Sequence, residues 1–144
     1  MKILVAEDTP TQAAMIKLGL QRFGHEVLLA RDGIDAVEKA YRELPDLIVS
    51  DVVMPRLNGY QVCRLLKDDP QMSTIPVVLL TSLDQKQDMF WGLKSGADKY
   101  VTKGGDIPEL CQDMQAFLDE WYSGESAAKG AARPARDAPW RTIA

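Results

Sequence analysis

The chain has 144 residues, of which 46% are hydrophobic, enough for one domain around one core. Its formal net charge is −4. Residues 123–144 hold Glu125 and Asp137 against Lys129, Arg133, Arg136 and Arg141, so the body before them is more acidic than the whole. An acidic body argues against direct nucleic-acid binding, and no apolar run approaches the roughly 20 residues that span a bilayer.

The start, Met1-Lys2-Ile3-Leu4-Val5-Ala6-Glu7-Asp8, turns acidic too early for a signal peptide, which predicts a cytoplasmic protein. Ile3–Ala6 is the first predicted strand. Thr9-Pro10-Thr11-Gln12 follows, with a capping residue, a proline in the first turn and a glutamine three residues after the cap. Ala13, Ile16, Leu20 and Phe23 continue at helical spacing until Gly24. His25, in the turn Gly24-His25-Glu26, reads as a surface residue rather than a catalytic base.

Val27–Ala30 is the second strand, and Ala36, Val37, Ala40, Tyr41 and Leu44 mark a second helix that stops before Pro45. Leu47–Val49 is the third strand, followed by a helix marked by Val62, Leu65 and Leu66. Val77–Leu80 is the fourth strand, and Asp84 with Gln87 caps a fourth helix that ends at Gly96. Its Phe90 and Trp91 are adjacent and cannot both face inward, so one is expected on the surface. Tyr100-Val101 is the fifth strand. Asp106, Pro108 and Glu109 open a fifth helix with a stripe of Leu110, Met114, Phe117, Leu118 and Trp121. Cys63 and Cys111 stand apart inside helical patterns, with no CxxC or Cys/His cluster, and read as small buried hydrophobes.

Short apolar runs without polar alternation are strands buried on both faces. Alternating with helices, they predict an α/β fold of five βα units with a mostly parallel, doubly wound sheet. Residues 1–122 form this domain. Residues 123–144 are rich in Ala, Gly, Pro and basic residues and read as a flexible tail or linker, with Trp140 as its one aromatic.

The polar residues fall at the carboxyl ends of these strands, where open α/β sheets bind ligands. Glu7 and Asp8 follow the first, Arg31 and Asp32 the second, Asp51 the third, Thr81 and Ser82 the fourth, and Lys103 the fifth. Converging carboxylates need a counter-charge, which a hard divalent cation with oxygen ligands supplies. A carboxylate beside a metal, an ammonium and a hydroxyl suits phosphoryl transfer, with the carboxylate as nucleophile.

Several stretches carry a family resemblance. They are Ile3 to Asp8, Asp46-Leu47-Ile48-Val49-Ser50-Asp51-Val52-Val53-Met54-Pro55, Asn58-Gly59, Ile75 to Ser82, Gly96-Ala97-Asp98-Lys99-Tyr100, and Lys103. Together they resemble the receiver domains of bacterial response regulators, over residues 1–122. The resemblance implies a flavodoxin-like sheet in the order 2-1-3-4-5. It implies Asp51 as phosphoacceptor, and Mg²⁺ (or Mn²⁺) held by Glu7, Asp8, Asp51 and the Val53 backbone carbonyl. Thr81 would contact the phosphoryl group, Lys103 would pair with the phosphorylated carboxylate, and Tyr100 would be an aromatic switch. The phosphodonor would be a histidine kinase or histidine phosphotransfer protein, and the domain would catalyse its own phosphorylation and dephosphorylation. A face of the fourth helix, fifth strand and fifth helix would serve a homodimer or a downstream protein, with the tail as a second contact.

Two departures stand out. Gly104-Gly105 follows Lys103 where the family has proline, which removes a rigid support. Val53 and Leu83 stand where polar side chains help orient a hydrolytic water, so slow loss of the phosphoryl group is expected. A haloacid-dehalogenase-type phosphohydrolase would need a second Asp two residues after the nucleophile, where Val53 stands. A flavodoxin-type binder would need phosphate-cradling loops where Glu7-Asp8 would repel the ligand. No output pattern follows residue 122, which favours a single-domain regulator over the receiver part of a larger regulator or hybrid kinase.

Overall fold

The computed structural model describes residues 1–81, 95–103 and 106–123. The predicted fourth helix with Asp84, Gln87, Phe90 and Trp91 lies outside the described residues, as do Ser82, Leu83, Gly104-Gly105 and residues 124–144.

The strands are β1 (Lys2–Ala6), β2 (Glu26–Ala30), β3 (Leu47–Asp51), β4 (Val77–Thr81) and β5 (Lys99–Thr102). All pair in parallel, in the order β2-β1-β3-β4-β5, as expected. The described helices are α1 (Pro10–Gln21), α2 (Gly33–Glu43), α3 (Gly59–Asp68) and α4 (Ile107–Trp121), the last being the fifth predicted from sequence.

The sheet is buried on both faces because its side chains alternate between two cores. Leu4, Ala6, Ile48, Val77 and Leu79 pack with Ala36, Ala40, Val62 and Leu66 of α2 and α3. Ile3, Val5, Val49, Val78 and Leu80 pack with Ile16, Leu20, Leu110, Met114 and Leu118 of α1 and α4. Cys63 belongs to the first core and Cys111 to the second, each as a buried thiol.

Four predicted stripe residues, Phe23, Tyr41, Leu44 and Leu65, are exposed. Phe23 lies past the end of α1, and Leu44 sits beyond α2 at φ 47, a left-handed cap. Tyr41 and Leu65 lie at stripe margins, and the smaller Ala40 and Cys63 face the core.

Caps set where the helices begin. Asp32, Asn58 and Asp106 each accept the backbone N–H three residues on, at 2.8, 2.9 and 2.7 Å. At Asn58 the box is complete, since Gln61 Oε1 accepts the Asn58 N–H at 2.9 Å. The box expected at Thr9 does not form, because the Thr9 side chain makes no capping bond.

One buried ion pair escaped the sequence reading. Lys67 Nζ lies 2.6 Å from Asp98 Oδ2, with side chains 2% and 4% exposed. Lys67 also donates to the carbonyls of Ile75 (2.6 Å) and Ser73 (3.3 Å), while Asp98 accepts the Val77 N–H at 2.9 Å. The pair ties the end of α3 to the starts of β4 and β5.

Candidate functional site

Parallel register carries the polar residues to one edge. Ala6 pairs with Ser50 and Asp51 with Leu80, so Glu7 follows β1 beside the end of β3. The Glu7 N–H donates to Ala30 O at 3.1 Å, which fixes its backbone against β2. Thr81 pairs with Thr102, and the Lys103 N–H donates to Thr81 O at 2.6 Å. Glu7, Asp51 and Thr81 are buried, whereas Asp8 is exposed.

Lys103 Nζ donates to Asp51 Oδ2 at 3.0 Å and lies 3.6 Å from Glu7 Oε2. It also donates to Gln12 Oε1 at 3.0 Å. Gln12, which the sequence offered only as a capping partner, thus belongs to the site. One carboxylate oxygen each from Glu7, Asp8 and Asp51 lies within 4.8 Å of the others.

Both Glu7 carboxylate oxygens are buried without a hydrogen bond among the described residues. Burial, and then the neighbouring Asp51 carboxyl, push the Glu7 carboxyl up to about 7, against a partial opposing pull from Lys103. An all-oxygen cluster with orphaned buried oxygens fits a hard divalent cation.

The loop after β3 is held close to the site. The Gly59 N–H donates to Val52 O at 2.8 Å, and a Cβ on Gly59 would fall 2.2 Å from Asp51 O. Only glycine permits this approach of α3 to the Asp51 backbone. Val53 follows on the same loop and is 59% exposed.

Tyr100, on edge strand β5, is half-buried against the first core, and its hydroxyl meets that of Tyr60 at 2.6 Å. Tyr60 directly follows Gly59, so α3 touches both Asp51 and Tyr100. Asp32, at the end of β2, caps α2 and pairs with Arg56 at 3.2 Å. His25 is a half-buried turn residue bonded to Gln115 at 2.6 Å.

A doubly wound sheet with an acidic cluster and Lys103 at its carboxyl edge defines the class. The chain belongs to the response regulator receiver domain family, whose model matches residues 3–115. Receiver domains of this family take phosphoryl groups from histidine kinases. Protein PilH of Pseudomonas aeruginosa is 41% identical over 117 residues, 81% of this chain and 97% of that protein. Two other relatives are longer, and the chain spans only 48% and 22% of their length. The receiver domain of a Syntrophus aciditrophicus signal transduction histidine kinase matches with TM-score 0.77 and 40% identity, over 87% of this chain and 95% of that one. The receiver domain of the Pseudomonas aeruginosa sensor histidine kinase PA1611 matches with TM-score 0.73 and 32% identity, over 83% and 95%. That structure holds a magnesium ion in its active-site cleft. No helix among the described residues is long and apolar enough to cross a membrane.

Proposed function

We propose that residues 1–122 accept a phosphoryl group on Asp51 from a histidine kinase or histidine phosphotransfer protein. The observation that carries this reading is Lys103 Nζ at 3.0 Å from Asp51 Oδ2, beside a cluster of three carboxylates.

Glu7, Asp8, Asp51 and the Val53 carbonyl would hold Mg²⁺ or Mn²⁺, which when bound offsets negative charge on the transferring oxygens. An Asp51 carboxylate oxygen attacks phosphorus, the P–N bond to the donor imidazole breaks, and that nitrogen keeps the electron pair. Lys103 stabilises the charge left on the acyl phosphate, and the Thr81 hydroxyl donates to a phosphoryl oxygen. Burial of Asp51 and Thr81 shields those two groups from bulk water.

Movement of Thr81 toward the phosphoryl group is relayed to Tyr100, two strand positions before Thr102, the Thr81 partner. The output is a change in protein contacts at the face of β5 and α4, or through the 123–144 tail. A single-domain regulator is the first reading. The likeness to receiver domains of two histidine kinases favours a second, in which the chain is one part of a hybrid kinase.

The test is phosphotransfer from a radiolabelled kinase domain or from acetyl phosphate, with Mg²⁺ and with chelator. Label should enter the wild-type protein only with the metal. Steady turnover of a phosphoester without a stable phosphoprotein would instead favour a phosphohydrolase.

A further inference from the structure

Gln12 sits at the position that a capping box would fill, yet it makes no such box. Thr9 is extended at φ −89 and ψ 110, as a capping residue is, but its side chain makes no capping bond. The Gln12 side chain is spent elsewhere, accepting from Lys103 Nζ at 3.0 Å. A local rule broken beside a reactive group is where function is expected.

Lys103 needs such a partner. It stands just past an edge strand, followed by Gly104-Gly105 rather than a stiff residue. Its backbone is tied to Thr81, but four rotatable bonds separate that tie from the ammonium. An ammonium has three N–H groups. Asp51, Gln12 and Glu7 offer three acceptors at 3.0, 3.0 and 3.6 Å. Gln12 is the neutral member, so it sets direction without adding charge to a crowded acidic site. It is also carried on α1, beside the buried Ala13 and Ile16, which makes it a firm anchor.

We propose that Gln12 is a positioning residue that aims the Lys103 ammonium at the Asp51 carboxylate and at the phosphoryl group placed there. This rests on the reading of Asp51 as phosphoacceptor. Gln12 touches neither donor nor phosphoryl group, and acts through Lys103.

The test is a double-mutant cycle of Gln12→Met, which keeps length and helix propensity but removes the acceptor, with Lys103→Ala. The readouts are the phosphorylation rate from acetyl phosphate, Mg²⁺ affinity by calorimetry, and the thermal midpoint. Gln12→Met should slow phosphorylation about five-fold, the size of one hydrogen bond to a partly exposed charged group. Mg²⁺ affinity and the midpoint should stay unchanged. In the Lys103→Ala background the same substitution should cost nothing further. An unchanged rate in the Gln12→Met protein overturns the inference. An equal loss with and without Lys103 also overturns it, since Gln12 would then act through the fold. If wild-type protein takes no phosphoryl group at all, the reading of Asp51 itself fails, and the inference with it.

Discussion

The Lys103 ammonium lies 3.0 Å from one carboxylate and 3.6 Å from another, yet the second, Glu7, is held largely by burial rather than by that cation. Asp51 has a close cationic partner. Glu7 has two buried oxygens without a hydrogen bond among the described residues, and its carboxyl is pushed up to about 7.

A pH dependence follows for the metal-free protein. Between the ordinary value of 4.5 and about 7, the folded state keeps a proton on Glu7 that the unfolded chain has lost. This contribution to stability is full below 4.5 and is lost as pH rises through about 7. Cation binding runs the other way, because the carboxyl must first lose its proton. Mg²⁺ titrations across this range should show affinity rising through about pH 7, with proton release on binding below it. Glu7→Gln should flatten the stability profile.

The Lys67–Asp98 pair predicts a different outcome. Removing one partner of a buried pair leaves the other charge uncompensated, at about 3–5 kcal/mol. Lys67→Met should destabilise the fold by that order in urea unfolding. Adding Asp98→Asn should recover part of the loss, because a neutral acceptor for the Val77 N–H remains.

Tyr60→Phe should release the Tyr100 hydroxyl from its 2.6 Å bond while leaving the ring packing in place. If the half-buried Tyr100 position belongs to the phosphorylated state, beryllofluoride affinity should fall about three- to ten-fold, one hydrogen bond's worth of population shift. Unchanged affinity would show that the Tyr60–Tyr100 bond plays no part in the response to the phosphoryl mimic.

Most of the fold was legible in the sequence, for a physical reason. Strands buried on both faces must be short apolar runs, and a doubly wound sheet gathers whatever follows them at one edge. Glu7, Asp8, Asp51, Thr81 and Lys103 could therefore be placed by counting strands. The partners that hold them could not. Gln12 looked like a capping residue because Thr-x-x-Gln is locally a capping pattern, and only tertiary contact diverts it to Lys103. Nothing local marks Lys67 as paired, because its partner, Asp98, is distant in sequence. Nothing local ties Tyr60 to Tyr100, 40 residues further on. Phe23 and Leu44 were misplaced because helical spacing runs on past the residue where the backbone turns.

Val53, exposed beside the site, bears on how long an acyl phosphate would survive. The valine side chain offers no polar group to orient water, so loss of phosphate should be slow. Val53→Asn should speed it about ten-fold, the worth of one hydrogen bond that orients the attacking water. Phosphate release after acetyl-phosphate loading measures it. A wild-type half-life of seconds would contradict the expectation.

The most direct measurement is the location of the phosphoryl group. Protein loaded with acetyl phosphate and Mg²⁺ is reduced with borohydride, digested and sequenced by mass spectrometry. The expected result is one reduced residue, Asp51, absent from the chelator control and from the Asp51→Asn protein. Modification of another residue, or undiminished labelling of Asp51→Asn, would contradict the assignment of Asp51 as phosphoacceptor.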